Sequence, residues 1–242
     1  MSSQSDLSAL HTQLIDDGFS FLGADVMRGL LHDPQALDDW EAFTTSWNDL
    51  GPDNYLAAQG RQRRRRHTTF TAATGGVITR NPQQPHFQTL QDNPLQGDLQ
   101  RWFTPIRPRI ADGPSFRRIL EFTHTLFGTL APRIPIWHVE AHQFRIEARV
   151  GEAGEPTPEG VHHDGVDYVL VLLIDRTNIE SGTTTIHAAD GGLLGSFTLK
   201  RPLDAALVDD ARVSHGVTAV TPFDPATPAH RDVLVLTFKA AK

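Results

Sequence analysis

Beyond Ile134 the chain is a succession of short β-rich segments, at 135–149, 167–174, 182–188, 194–200, 204–208, 212–220 and 232–239, separated by clusters of Gly, Asp and Pro. Strands in that arrangement fold as a sandwich or barrel of jelly-roll type, in contrast to the long alternation of strand and helix that builds parallel sheets. The expected core is therefore mainly β.

Ahead of that core the periodicity is helical. Leu7, Leu10, Leu14 and Ile15 recur at helical spacing behind Ser5 and Asp6 and stop at Gly18, a capped start and a glycine stop. Leu37, Trp40, Phe43 and Trp47 form a second stripe after Pro34, and 115–130 carries a wide apolar face from Phe116 to Leu130. Residues 73–113, rich in Gly, Pro, Gln and Asn, read as long surface loops suited to cover a site. A chain of 242 residues fits one domain. The expected architecture is α+β, mainly β with flanking helices: 1–133 supplies a helical flank, an arginine-rich strand and lid loops, and 134–242 a jelly-roll, cupin-like core.

One turn of this core carries chemistry. "PEGVHHDGVDYVLVLLIDR" (158–176) sets His162, His163 and Asp164 on a glycine turn before a long apolar run. In extended backbone, residues i and i+2 point to one side and i+1 to the other, so His162 and Asp164 converge while His163 faces away. Gly165 lets the chain turn sharply, and 166–174 anchors that edge as a buried strand. The chain has no cysteine, so a metal must be held by nitrogen and oxygen. A His-x-Asp pair needs one more ligand to hold a ferrous ion on one face and leave the other open. His215, fifty-three residues after His162, offers it; sixteen residues further on, Arg231 opens "RDVLVLTFKA" with a guanidinium fork suited to a carboxylate.

The order His162-x-Asp164, His215, Arg231 resembles the iron(II)/2-oxoglutarate-dependent dioxygenases with a double-stranded β-helix core. The strings "HQFRI" (142–146), "PEGVHHDGVDYV" (158–169), "RVSHGVTAVTP" (212–222) and "RDVLVLTF" (231–238) are similar to the bacterial branch of L-isoleucine dioxygenase-like free amino-acid hydroxylases. The resemblance implies that His162, Asp164 and His215 hold Fe(II), that 2-oxoglutarate chelates the metal and rests its far carboxylate on Arg231, and that O2 is consumed. Succinate and CO2 would be released as the side chain of a free, aliphatic L-amino acid is hydroxylated. Related halogenases replace the carboxylate of the metal turn by a small residue, so Asp164 favours hydroxylation.

The substrate is read from the remaining polar residues. In "GRQRRRRHTTF" (60–70) the β character of the end places Arg61, Arg63 and Arg65 on one face and Arg64 and Arg66 on the other. An inward arginine, Arg65 by preference, would serve a substrate carboxylate. Gln143 and Arg145 share a strand face and are candidates for hydrogen bonds to cosubstrate or substrate, against ordinary pairing between strands. Glu159 and Asp167 beside the metal turn are candidates for a substrate ammonium, against turn capping. His138, His142 and His187 read as structural histidines of strands, and His86 as a surface or core residue.

The formal charge of −7 argues against a nucleic-acid footprint, which leaves a small-molecule amino acid as the expected partner. No apolar run approaches the ~20 residues that span a bilayer, and "MSSQSDLSALHTQL" lacks a basic region ahead of an apolar core. No membrane partner is expected, and the location expected is cytoplasmic. Barrels of this kind occur as monomers or homodimers, with the dimer favoured. No serine-hydrolase triad motif, phosphate loop or GxGxxG stands out. Two alternatives stay open: a cupin-like metalloenzyme of another class, which gives Arg231 no 2-oxoglutarate to bind, and a non-catalytic β-barrel binding domain with structural histidines.

Overall fold

The computed structural model describes residues 3–33, 35–57 and 63–241. The first part runs α1 (Ser3–Asp17), β1 (Phe19–Leu22), α2 (Ala24–Leu30), α3 (Trp40–Thr45), a 3₁₀ turn (Ser46–Asp49), β2 (Gly51–Pro52), α4 (Asn54–Ala57), β3 (Arg63–Ala73), β4 (Ile78–Arg80), α5 (Pro108–Ala111) and α6 (Pro114–Leu130). The rest is strand: β5 (Ile136–Ala148), β6 (Tyr168–Thr177), β7 (Ile179–Ser181), β8 (Thr183–His187), β9 (Leu193–Thr198), β10 (Ala205–Asp209), β11 (Ser214–Val217), β12 (Val220–Pro222) and β13 (Ala229–Ala240).

β13 is the spine of an antiparallel sheet ordered β1-β10-β6-β13-β5-β3-β2, with β4 attached to β3. Two smaller pairings, β11-β8-β9 and β12-β7, complete the jelly roll. Side-chain alternation decides what each face of the large sheet meets. Trp137, Val139 and Ala141 of β5, Leu170 and Leu172 of β6, and Leu234, Leu236 and Phe238 of β13 form one buried cluster with Phe43, Trp47, Phe116, Ile119 and Phe127 of the helical layer. On the opposite face Ile146, Leu173, Ala206 and Val233 meet Leu199 and Val220, with Ile179 and Phe197 packed beside them. The large sheet thus lies between helices and small sheets, and only its second face can line a site.

This is the mainly β, helix-flanked jelly roll expected from the sequence, with local differences. β1 and α2 occupy 19–30, where no element is expected; β1 is a four-residue edge strand, too short for alternation to show, and earns its place by pairing with β10. The 212–220 segment divides into β11 and β12, and β7 adds a short strand before β8. In α1 only Leu10 and Leu14 of the apolar stripe are buried, while Leu7 and Ile15 are exposed. Gly18 closes that helix as expected, at φ +79, with its N–H on the Leu14 carbonyl at 3.1 Å. Among the described residues no helix is long and apolar enough to cross a membrane.

Trp47 pins the helical layer to the sheet. Its ring is fully buried and packs edge-on against Phe43 at 5.2 Å. Nε1 donates to the carbonyls of Phe144 and Val233 at 3.1 and 3.3 Å, next to the register shift at Asp232/Val233. Trp47→Phe keeps most of the packing but leaves those carbonyls without this buried donor. It should destabilise the chain by about 1–3 kcal/mol, read as a lower urea midpoint at unchanged slope; an unchanged midpoint would show that the packing alone holds the layer.

Candidate active site

Two backbone hydrogen bonds bring the distant halves of the site together: His162 N–H donates to the His215 carbonyl and His215 N–H to the His162 carbonyl, both at 2.9 Å. The pairing sets the two imidazoles beside each other, ring centres 4.7 Å apart. Extended parity returns Asp164 to the same side, with Oδ1 3.6 Å from His162 Nε2 and Oδ2 3.5 Å from His215 Nε2. Ligand atoms of the three lie within 4.8 Å of one another, a donor set that can hold a metal. His163 turns away, its Nδ1 2.6 Å from the Asp210 carbonyl.

Asp210, which the sequence reading leaves without a role, holds this turn. Its Oδ1 accepts the N–H of Asp164 at 3.0 Å, and its Oδ2 accepts those of Gly165 and Val166 at 2.9 and 3.2 Å. The same carboxylate lies 3.7 Å from His215 Nδ1. Gly165 sits at φ +75, a conformation glycine adopts without strain. The signal was the Asp-Asp pair five and six residues before His215, which does not by itself say which turn it would cap.

The titrations follow from burial and from these contacts. Burial works against a charged His162, but the interaction of its N–H with the accepting carboxylate of Asp164, with the charges of Asp164 and Glu159, outweighs it and raises the pKa to about 9. Burial holds His215 at about 4 against the pull of Asp164. Asp164 is lowered to about 2 despite burial, because both histidines favour its anion. Asp210 is pushed up to about 6, by burial first and by the Asp164 charge second.

The three residues open onto a cavity of about 390 Å³ lined by the inner faces of β3, β5, β6 and β13 and by residues of the 86–101 loop. These loop residues belong to the segment 73–113, expected from the sequence to be loop-rich. Arg231 lies in this cavity, 2% exposed, with Nε and Nη2 lacking any partner; burial and the charge of Arg176 lower its pKa to about 10. Arg65 also lines it and is buried, and Arg63, half-buried, lines it beside Arg65, as strand parity requires. Arg64 and Arg66 take the other face and pair with Glu147 and Asp49; Arg61 lies outside the described residues. Glu159 reaches the cavity, its Oε1 3.3 Å from His162 Nε2.

Other assignments are corrected. Gln143 and Arg145 continue the parity of Trp137, Val139 and Ala141 and point out of the cavity: Gln143 donates to Ser46 Oγ at 2.8 Å, and Arg145 forms a two-pronged pair with Asp232 at 2.8 and 2.6 Å. Asp167 caps the end of β13, its Oδ2 accepting the Ala240 N–H at 2.7 Å. His86, His138 and His142, read as structural or filler residues, instead line the cavity around Glu140. Arg101, unnoticed in the sequence, is a further buried cavity arginine whose Nε lacks a partner.

A sequence model of the 2OG-Fe dioxygenase family matches residues 44–237. The chain belongs to the 2OG-Fe dioxygenase family. It is similar to the 3(1)-hydroxy-L-isoleucine 4-dioxygenase of Pantoea ananatis, 24% identical over 94% of each chain. Among solved structures, the bsmA homolog from Methylobium petroleophilum PM1 is 36% identical at a TM-score of 0.88, covering 97% of this chain and 93% of that one. IDO from Bacillus thuringiensis shares the fold at a TM-score of 0.79 and 17% identity, over 98% and 96%. The chain is therefore a 2-oxoglutarate-dependent dioxygenase that uses Fe(II), 2-oxoglutarate and O2, and the non-catalytic and other-metalloenzyme alternatives fall. Its own residues fit those cofactors. Two imidazoles and a carboxylate converge on one point and leave open the face toward the cavity, while the partnerless guanidinium of Arg231 is an anion seat.

Asp210→Ala would leave the buried N–H groups of the metal turn unpaired, at about 1–3 kcal/mol for each such group. The metal-free chain should lose several degrees of melting temperature; a variant that melts with the wild type would show the turn to be held by its backbone alone.

Proposed function

We propose that this dioxygenase hydroxylates an aliphatic side-chain carbon of a free L-amino acid, with 2-oxoglutarate converted to succinate and CO2. The observation that carries the reading is a second anion seat in the same cavity. Arg231 stands on β13 and Arg65 on β3, with β5 between them, so their backbones lie about 10 Å apart across the sheet. The distal carboxylate of 2-oxoglutarate needs one of these seats. The other is left for a substrate carboxylate, and the name of the Pantoea relative, a hydroxy-L-isoleucine dioxygenase, agrees with an amino acid of this size.

The residues divide the work. His162, Asp164 and His215 hold Fe(II), which with 2-oxoglutarate and O2 supplies an oxidant strong enough for an unactivated C–H bond. Arg231 orients 2-oxoglutarate by a two-pronged contact. Arg65 holds the substrate carboxylate, its guanidinium already fixed 3.7 Å from the Phe103 ring centre and 4.6 Å from that of Phe144. Val171, Val233 and Val235 give the cavity its apolar wall, which suits an aliphatic side chain and excludes water.

The direct test is aerobic incubation with Fe(II), ascorbate and 2-oxoglutarate against the twenty amino acids, following succinate and product mass. An aliphatic amino acid gaining one oxygen supports the reading; succinate coupled only to modified or carrier-bound amino acids overturns it. Arg231→Gln should raise the KM for 2-oxoglutarate by about 30-fold or more, a loss of ~2 kcal/mol, with Mn(II) affinity retained.

Metal binding gives a separate check. His162→Ala should abolish Mn(II) binding and His163→Ala should leave it intact. In the metal-free chain His162 is protonated up to about pH 9, and a ligand must give up that proton. Mn(II) affinity should therefore rise about tenfold per pH unit up to that point and level off above it, whereas a flat profile from pH 6 to 9 would remove His162 from the ligand set.

A further inference from the structure

On β5 the cavity-facing residues His138, Glu140 and His142 alternate with the buried apolar ones. Glu140 gathers imidazoles: its Oε2 lies 2.9 Å from His67 Nε2, 2.5 Å from His86 Nδ1 and 3.5 Å from His142 Nε2. On the other edge of the same ring, His142 Nδ1 lies 2.6 Å from Arg65 Nη2. A guanidinium can only donate, so Nδ1 accepts, and the single proton of the neutral ring sits on Nε2, facing Glu140. Burial, with the Arg65 charge second, keeps His142 well below the usual histidine range. His67 is lowered too, and His86 is held at about 4, in both cases by burial. Glu140 remains ionised despite burial, because the imidazoles around it favour its anion.

Among the described residues the ion-pair partners of Glu140 are thus histidines alone, and burial keeps His67, His86 and His142 neutral at pH 7. Its Oε1 has only His138 Nε2, at 3.5 Å. A carboxylate only 14% exposed on a cavity wall, supplied with neutral donors and without a full countercharge, favours a cation with hydrogens to give. Arg65 shows the complementary deficiency across the same ring: its Nε has no partner, and Asp53 is 3.7 Å from its Nη1. One imidazole separates a seat for an anion from a seat for a cation. An α-amino-acid head group presents those two charges on groups bonded to one carbon, over a similarly short span.

We infer that Glu140, braced by His67, His86 and His142, is the ammonium-binding residue of a zwitterion clamp whose other arm is Arg65. The inference rests on the amino-acid reading above and adds a specificity rule to it: the free amine is required, and acylated or des-amino substrates are rejected. A metal ion is the weaker occupant of the same cluster, because the Arg65 contact puts a proton on His142 Nε2 and a fixed cation beside the site.

The test uses the full chain loaded with Mn(II) and 2-oxoglutarate, so that binding is read by calorimetry without turnover. The probes are L-isoleucine, L-leucine and L-valine, each beside its des-amino acid and its N-acetyl derivative. The wild type should bind at least one amino acid about 100-fold or more tighter than its des-amino and N-acetyl counterparts, since either change leaves Glu140 without a cationic partner. Glu140→Gln should abolish that preference by weakening the amino acid and not the des-amino acid, with 2-oxoglutarate affinity unchanged. The wild-type ratio stands alone if the variant does not fold: equal binding of amine-free and amine-bearing probes overturns the inference. Amino acids that bind and keep their preference in Glu140→Gln would sink the clamp while leaving the amino-acid reading in place. If none of the three amino acids binds, the reading and the clamp fall together. A second equivalent of Mn(II) per chain that is lost in Glu140→Gln would assign the cluster to a metal and overturn the clamp.

Discussion

The backbone pair between His162 and His215 is the constraint on which the site depends, because it joins residues fifty-three positions apart at a fixed register. Once their N–H and carbonyl groups are exchanged at 2.9 Å, both side chains must leave the same side of the strip. Asp164, two residues on, returns to that side, and His163 cannot. Asp210 then locks the turn by taking three consecutive N–H groups. The convergence of the three candidate ligands is therefore a property of backbone pairing, preorganised before any metal arrives.

The same alternation explains which residues could be read from sequence. The relative directions of His162, His163 and Asp164 were legible because they follow from one short extended segment; for Arg65 its own segment stated only that it shares a face with Arg63. Gln143 and Arg145 share a face, as the sequence says; which face looks into the cavity is set by pairing with β3 and β13, which no local pattern states. The information was present one step further back. Trp137, Val139 and Ala141 are the apolar set of β5 and face the helices, so His138, Glu140 and His142 had to face the cavity. Taken singly, His138 and His142 read as structural histidines; with Glu140 they form an i, i+2, i+4 array of polar groups on a single face. β1 and the Asp210 cap were illegible for another reason: each is stabilised only by a partner remote in sequence.

Charge balance in the cavity gives the array its meaning. Arg63 is neutralised by Asp53, which it grips with Nε and Nη2 at 3.1 and 2.9 Å. Arg65, Arg101 and Arg231 each retain a partnerless buried nitrogen, and desolvation lowers the pKa of all three. Buried cations in that condition are costly to the empty protein, and their cost falls when anionic ligands enter. Ligand-free stability is thereby exchanged for affinity, and 2-oxoglutarate should act as a folding ligand as well as a reactant.

Arg101 extends this logic to the covering loop. Its Nη1 and Nη2 hold Gln96 and Gln88, both at 2.7 Å, and Gln88 donates in turn to the Asp164 carbonyl at 3.3 Å. Asn93 donates to the same Gln88 oxygen at 3.0 Å. The loop is thus tied through one side chain to the backbone of the metal turn. Gly165 tightens the connection, because a side chain there would meet the Asp92 carboxylate at 2.4 Å, and that carboxylate is already engaged by Thr89 at 2.7 Å. Glycine at this position serves two ends at once: the positive φ that returns the chain after Asp164, and the close approach that lets the loop lie against the site. A displacement of the loop that moves Gln88 would break its hydrogen bond to the Asp164 carbonyl. Arg101 is also one of the cavity's partnerless cations, so an anion bound there would reach the metal turn through Gln88 without touching it.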